Sequence, residues 1–215
     1  MGIRSFATTL AASSLLAAAA LGVPTAQAAP AAKGGERSLA EVLTSDGNRF
    51  DHRWRDYDIV TEAVLAVLAA KPDSPVGLLA DGGVKLTAFI PNDWSFRVLV
   101  KELTGERYDR EKRVLEALVD AAGVETIEQV LLYHVVPGAK ITSSDAVQAD
   151  GVALETAQGG TVTVDVLYKK LPIIQLRDKD PDAINPFLDP RALDINKGNK
   201  QIAHGILLVL RPVNL

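Results

Sequence analysis

The chain has 215 residues, no cysteine, 23 Lys plus Arg against 27 Asp plus Glu, and a formal net charge of −4. Without a thiol there is no disulfide framework, no thiol nucleophile and no Cys-ligated zinc or iron–sulfur centre. The acidic balance argues against a nucleic-acid partner: the most basic aromatic patch, Arg49, Arg53 and Arg55 around Trp54 and Tyr57, is neutralised by the interleaved Asp51, Asp56 and Asp58.

The first element is a secretory signal pattern. Arg4 precedes a run from Leu10 to Gly22 that is almost entirely Leu and Ala, and Ala26-Gln27-Ala28 supplies a small-x-small cleavage site. Residues 1–28 are therefore expected as a signal peptide, of an Ala-rich bacterial type. The apolar run falls short of the about 20 residues that a bilayer span needs. No later stretch is long and apolar enough either, so a secreted, extracellular product is expected, with no membrane span after signal removal. Residues 29–37, rich in Ala, Pro and Gly, read as a flexible linker. Residues 38–215 are expected to form one domain, large enough for a core without disulfides.

Within that domain Ser38 is placed to cap a short helix from Leu39 to about Thr44. Val60, Ala63, Val64, Val67 and Leu68 repeat at helical spacing, with Asp58 as the predicted cap and Lys71-Pro72 as the stop. Val84 to Ile90 reads as a strand running into Pro91. Asn92 then caps a helix to about Leu103, closed by Gly105. A further helix is predicted from about Arg110 to Ala122, ending at Gly123, and Thr126 with Gln129 forms a capping-box pattern for a short one after it. The second half turns to strands. Val152 to Ala157 and Thr161 to Tyr168 flank Gly159-Gly160 as a hairpin, with Val162, Val164 and Val166 alternating. Leu171 to Leu176 and Ile202 to Leu210 are the remaining strands. Helices first and strands later predict an α+β domain.

Three segments resemble the fasciclin (FAS1) family. Thr87-Ala88-Phe89-Ile90-Pro91-Asn92-Asp93-Trp94-Ser95-Phe96 resembles its strand ending in Phe-x-Pro, followed by a capped helix that carries an aromatic. Leu132-Tyr133-His134-Val135-Val136-Pro137-Gly138 is similar to its Tyr-His signature. Ile202-Ala203-His204-Gly205 through Leu210-Arg211-Pro212 is similar to its closing strand. The chain departs from the family pattern at Lys200-Gln201, where Asn-Gly is usual, and at Leu207, where Asp is common. The resemblance implies a β-sandwich-like wedge of strands with helices packed along one side. It also implies an adhesion or interaction module that is not an enzyme, is monomeric, and binds an extracellular protein or a cell-envelope polymer with no cofactor. In animal members the Tyr-His pair is linked to integrin binding, which makes Tyr133 and His134 the ligand-binding positions by resemblance. A bacterial chain has no integrin to meet.

The residues themselves offer further chemistry. His134 and His204 lie in apolar runs, where a buried imidazole satisfies both nitrogens with hydrogen bonds. Ser143, Ser144 and Asp145 follow His134 closely, so a His-centred extracellular hydrolase is the alternative, although no Gly-x-Ser-x-Gly elbow is present. A third reading is a cell-wall polysaccharide binder with Trp54, Tyr57 or Trp94 lining its groove. Asp178, Asp180, Asp182 and Asp189 fall at positions 1, 3, 5 and 12 of a calcium-loop spacing. Ala183 stands where that loop needs Gly, and Pro181 and Pro186 stiffen it, so a solvated acidic loop is expected and no metal is assigned.

Overall fold

The computed structural model describes residues 35–45, 47, 50–168 and 173–214. The signal pattern at 1–28 and most of the 29–37 linker lie outside the described residues.

Ser38 opens α1 (Leu39–Leu43) with a capping box, its hydroxyl accepting the Glu41 N–H while the Glu41 carboxylate accepts the Ser38 N–H. The apolar stripe Val60, Ala63, Val64 and Val67 is buried on α2 (Asp58–Ala70), as its spacing predicts. The expected cap is corrected. Asp58 is the first helical residue, and its carboxylate turns back to accept the Phe50 and Asp51 N–H groups at 2.6 and 3.3 Å. The Ile59 N–H is accepted instead by Asp93 Oδ1 at 2.9 Å, from 34 residues further along the chain.

A 3-10 turn, Pro75–Ala80, leads to β1 (Leu86–Pro91), and Asn92 Oδ1 accepts the Ser95 N–H to start α3 (Asp93–Thr104). Gly105 ends α3 at φ 76°, the left-handed conformation that glycine adopts without a Cβ clash. The next helix, α4 (Glu111–Tyr133), has two halves that meet at Gly123, where φ 75° and ψ 161° break the helical path. The break stands where the sequence predicts an end, but no loop separates the halves, and Thr126 lies inside the second half instead of capping it.

The remaining elements are β2 (Val135–Pro137), the one-turn α5 (Ser143–Ala146), β3 (Ala153–Glu155), β4 (Thr161–Tyr168), β5 (Ile173–Arg177) and β6 (Gln201–Ile206). One sheet has the order β2-β1-β6, with β1 antiparallel to β2 and parallel to β6. The other is the antiparallel meander β3-β4-β5. The last strand was expected to reach Leu210 but stops at Ile206, because Leu207 N–H turns to the Phe187 carbonyl and Leu210 N–H to the His134 ring.

Strand β1 is buried along its whole length. Leu86, Ala88 and Ile90 join the core shared with α2, α3 and α4, while Phe89 joins the core formed with Val162, Val164 and Leu176 of the second sheet. This is an α+β arrangement: helices cover one face of β1 and the second sheet covers the other.

Candidate functional site

Tyr133 and His134 end α4 as internal residues. The Tyr133 side chain is fully buried, and its hydroxyl donates to the Thr161 carbonyl at 2.7 Å. Burial raises its pKa above the ordinary tyrosine value. Gly160 makes room for it, since a Cβ there would stand 3.0 Å from the Tyr133 ring. His134 Nε2 accepts the Leu210 N–H at 2.9 Å. The proton must then sit on Nδ1, which donates to the Val130 carbonyl at 2.7 Å. Burial lowers the pKa of this imidazole to about 4, against the opposing pull of the Val130 carbonyl, so the ring is neutral at neutral pH.

His204, on β6, follows the same logic. Its Nδ1 accepts the Asp194 N–H at 3.3 Å, which leaves Nε2 to donate to the Ile141 carbonyl at 2.9 Å. Burial lowers its pKa as well. Ser143, Ser144 and Asp145 form the turn of α5, where Thr142 and Asp145 cap one another. The Ser143 hydroxyl donates to Asp194 Oδ2 at 2.9 Å. Among the described residues, neither the His134 nor the His204 imidazole is hydrogen-bonded to a hydroxyl or a carboxylate.

The acidic loop is organised around protein donors. Asp178 accepts the N–H groups of Asp180 and Arg211. Asp180 accepts those of Asp182 and Ala183 and meets the Arg211 guanidinium at 3.2 Å. Asp182 accepts from the Asn214 amide, and Asp189 takes both prongs of the Arg191 fork at 2.9 and 2.8 Å. The four carboxylates thus each meet protein donors, with Asp178 and Asp180 sharing Arg211.

Trp54 and Trp94 come together. The Trp94 N–H donates to the Trp54 carbonyl at 2.9 Å, and the Arg97 guanidinium lies 4.5 Å from the Trp54 ring centroid and 5.4 Å from that of Trp94. An ion pair to Asp109 holds Arg97 in place. Trp94 remains 48% exposed. Tyr57 is not part of this group. It packs over β6, and with Arg55, Asp189 and Arg191 it lines a groove of about 560 Å³.

The Fasciclin domain model matches residues 63–182. The chain belongs to the fasciclin domain family. Among solved structures it is similar to a FAS1 domain pair from the insect cell adhesion molecule fasciclin I, with a TM-score of 0.53 and 14% identity. The match covers 82% of this chain and 51% of that one, so this chain spans about half the length of the pair, and at such identity the likeness concerns the fold alone. No curated protein matches.

The matched segment of this fasciclin domain includes Tyr133 and His134, whereas β6 with His204 follows it. Sequence reasoning missed one exposed feature of the domain. Leu167 and Tyr168 end β4, and Ile173 opposite them starts β5, all three turned to solvent. Loss of the inward-outward alternation after Val166 was the available signal. No helix among the described residues is long and apolar enough to cross a membrane.

Proposed function

We propose that this fasciclin domain is an exported, monomeric adhesion or interaction module that binds an extracellular protein or a cell-envelope polymer through its surface and catalyses no reaction. The observation that carries the reading is the corner where the half-exposed Trp94 shares Arg97 with Trp54. Tryptophan and arginine dominate the energetics of binding surfaces, because they combine large apolar area with directed polar contacts. The signature side chains support it from the other direction: Tyr133 and His134 spend their polar atoms on backbone groups. The similar insect protein is a cell adhesion molecule, which agrees with this reading. A His-centred hydrolase draws no comparable support, since such a base must reach the proton it abstracts within about 3.2 Å.

The test is saturable capture of the purified full chain on the producing organism's envelope fraction, before and after digestion of that fraction with protease or with glycan hydrolases. Capture that is lost on one of the two digestions names the ligand class, and Trp94→Ala is expected to weaken it at least tenfold. Absence of saturable capture, or capture untouched by Trp94→Ala, would overturn the reading.

A further inference from the structure

Five carboxylates from three separate segments converge beside the tryptophan corner. Asp51, Asp56 and Asp58 come from the loop before α2 and from its first turn. Asp93 starts α3, and Glu111 starts α4. They form two overlapping groups, Asp51–Asp56–Glu111 and Asp56–Asp58–Asp93, and within each group one oxygen per residue lies within 4.8 Å of the others. Asp58, Asp93 and Glu111 are buried, the last two completely.

Their hydrogen bonds aim the carboxylates. Glu111 Oε2 accepts the His52 N–H at 3.0 Å, and Asp93 Oδ1 accepts the Ile59 N–H at 2.9 Å. The other oxygens, Glu111 Oε1 and Asp93 Oδ2, are buried without a hydrogen-bond partner among the described residues, and so is Asp56 Oδ1. Among the described residues Asp51 pairs with the Arg53 guanidinium at 3.1 Å, whereas no Lys or Arg there is ion-paired with Asp56, Asp93 or Glu111. Buried carboxylate oxygens left in this state cost several kcal/mol unless a positive charge or a proton joins them. Backbone donors that fix one oxygen and leave the other pointing inward are the usual support of a metal ligand.

We propose that Asp51, Asp56 and Glu111 bind one calcium-class divalent cation, with Asp58 behind Asp56 adding negative charge and Asp93 holding the start of α2 through the Ile59 N–H. Calcium takes oxygen ligands at 2.3–2.6 Å, so two oxygens on one ion stand at most about 4.6–5.2 Å apart, and the oxygens of this group, all within 4.8 Å of one another, are close enough to share one ion. Asp51 and Asp56 are only half-buried, so water completes the coordination from that side. Magnesium fits less well, because it demands near-octahedral geometry and gives up its water reluctantly. Burial is the main cause that raises the pKa of Asp56, Asp93 and Glu111, although Asp93 pulls that of Asp56 the other way.

The experiment is a calcium titration of the full chain after chelator treatment, followed by calorimetry and thermal melting, with magnesium and sodium controls at equal ionic strength. Millimolar calcium should raise Tm by several degrees more than either control, with Kd no weaker than about 10⁻³ M. Asp56→Asn and Glu111→Gln should each remove the calcium response and raise Tm in chelator, since each removes a repelling charge. Asp178→Asn with Asp182→Asn should leave the response intact. Terbium luminescence sensitised by Trp54 and Trp94 in the unaltered chain, and displaced by calcium, gives a readout that needs no variant. A shared proton in place of a cation would give no calcium response and no sensitised terbium. That outcome overturns the proposal, as does a calcium response that persists in Asp56→Asn or disappears with the Asp178 and Asp182 pair.

Discussion

His134 Nε2 accepts the backbone N–H of Leu210 at 2.9 Å, joining residues 76 apart in the chain. The bond fastens the end of α4 to the segment that leaves β6. Replacing His134 with Ala leaves the Leu210 N–H and the Val130 carbonyl without this partner inside the protein. The expected loss is about 1–3 kcal/mol for a buried group left unsatisfied, read as a lower midpoint of urea unfolding.

The same imidazole gives stability a pH dependence. Burial holds His134 near a pKa of 4, below the ordinary 6.5. A folded value below the unfolded one means that stability is fully present above pH 6.5 and falls as the pH drops from 6.5 towards 4, because the unfolded chain takes up its proton first. His204 is lowered in the same direction. Asp56 and Asp93, raised in the folded state, act oppositely, losing stability as the pH rises above the ordinary carboxylate range. The urea midpoint of the unaltered chain minus that of His134→Ala should therefore shrink between pH 6.5 and 4, by on the order of 2–3 kcal/mol in free energy.

Asn92 links β1 to α3. Its Oδ1 accepts both the backbone N–H and the hydroxyl of Ser95, at 3.0 and 2.8 Å. Asn92→Ala should cost about 0.5–2 kcal/mol, the range for loss of a helix cap. Faster amide exchange in the first turn of α3 than in α2 would show that the loss is local.

Gly205 tests the packing of β6. A Cβ at this position would stand 2.5 Å from the Tyr57 hydroxyl and 2.7 Å from the Ala192 side chain. Gly205→Ala should destabilise the domain by about 1–3 kcal/mol through overpacking. Pairing it with Tyr57→Phe should recover part of that, and equal losses in the single and double variants would place the crowding elsewhere.

Local signals read well from the sequence. Ser38, Asn92, Gly105 and Gly123 mark helix limits through chemistry that acts within a few residues, and the alternation of Val162, Val164 and Val166 places β4. Non-local partnerships were not legible. Asp58 has the spacing of a cap for α2, yet the donor at Ile59 is met by Asp93 from another helix. The parallel pairing of β1 with β6 joins Phe89 to His204 across more than half of the described chain. The contrast between acidic groups has the same cause. Asp178 to Asp189 have a suggestive spacing but meet protein donors, whereas the carboxylates that converge are scattered from Asp51 to Glu111 and are interleaved with arginines.

The central claim is that the Tyr-His signature of this fasciclin domain is internal structure and that its surface, at Trp94, does the binding. The most direct test measures urea unfolding and envelope capture on His134→Ala and Trp94→Ala side by side. Trp94→Ala should cost only about 1 kcal/mol, the scale of its exposed contact with Arg97, while capture falls at least tenfold. His134→Ala should lower the unfolding midpoint, while the protein that remains folded is captured as before. An unchanged midpoint with capture lost in His134→Ala, and full capture by Trp94→Ala, would contradict the account.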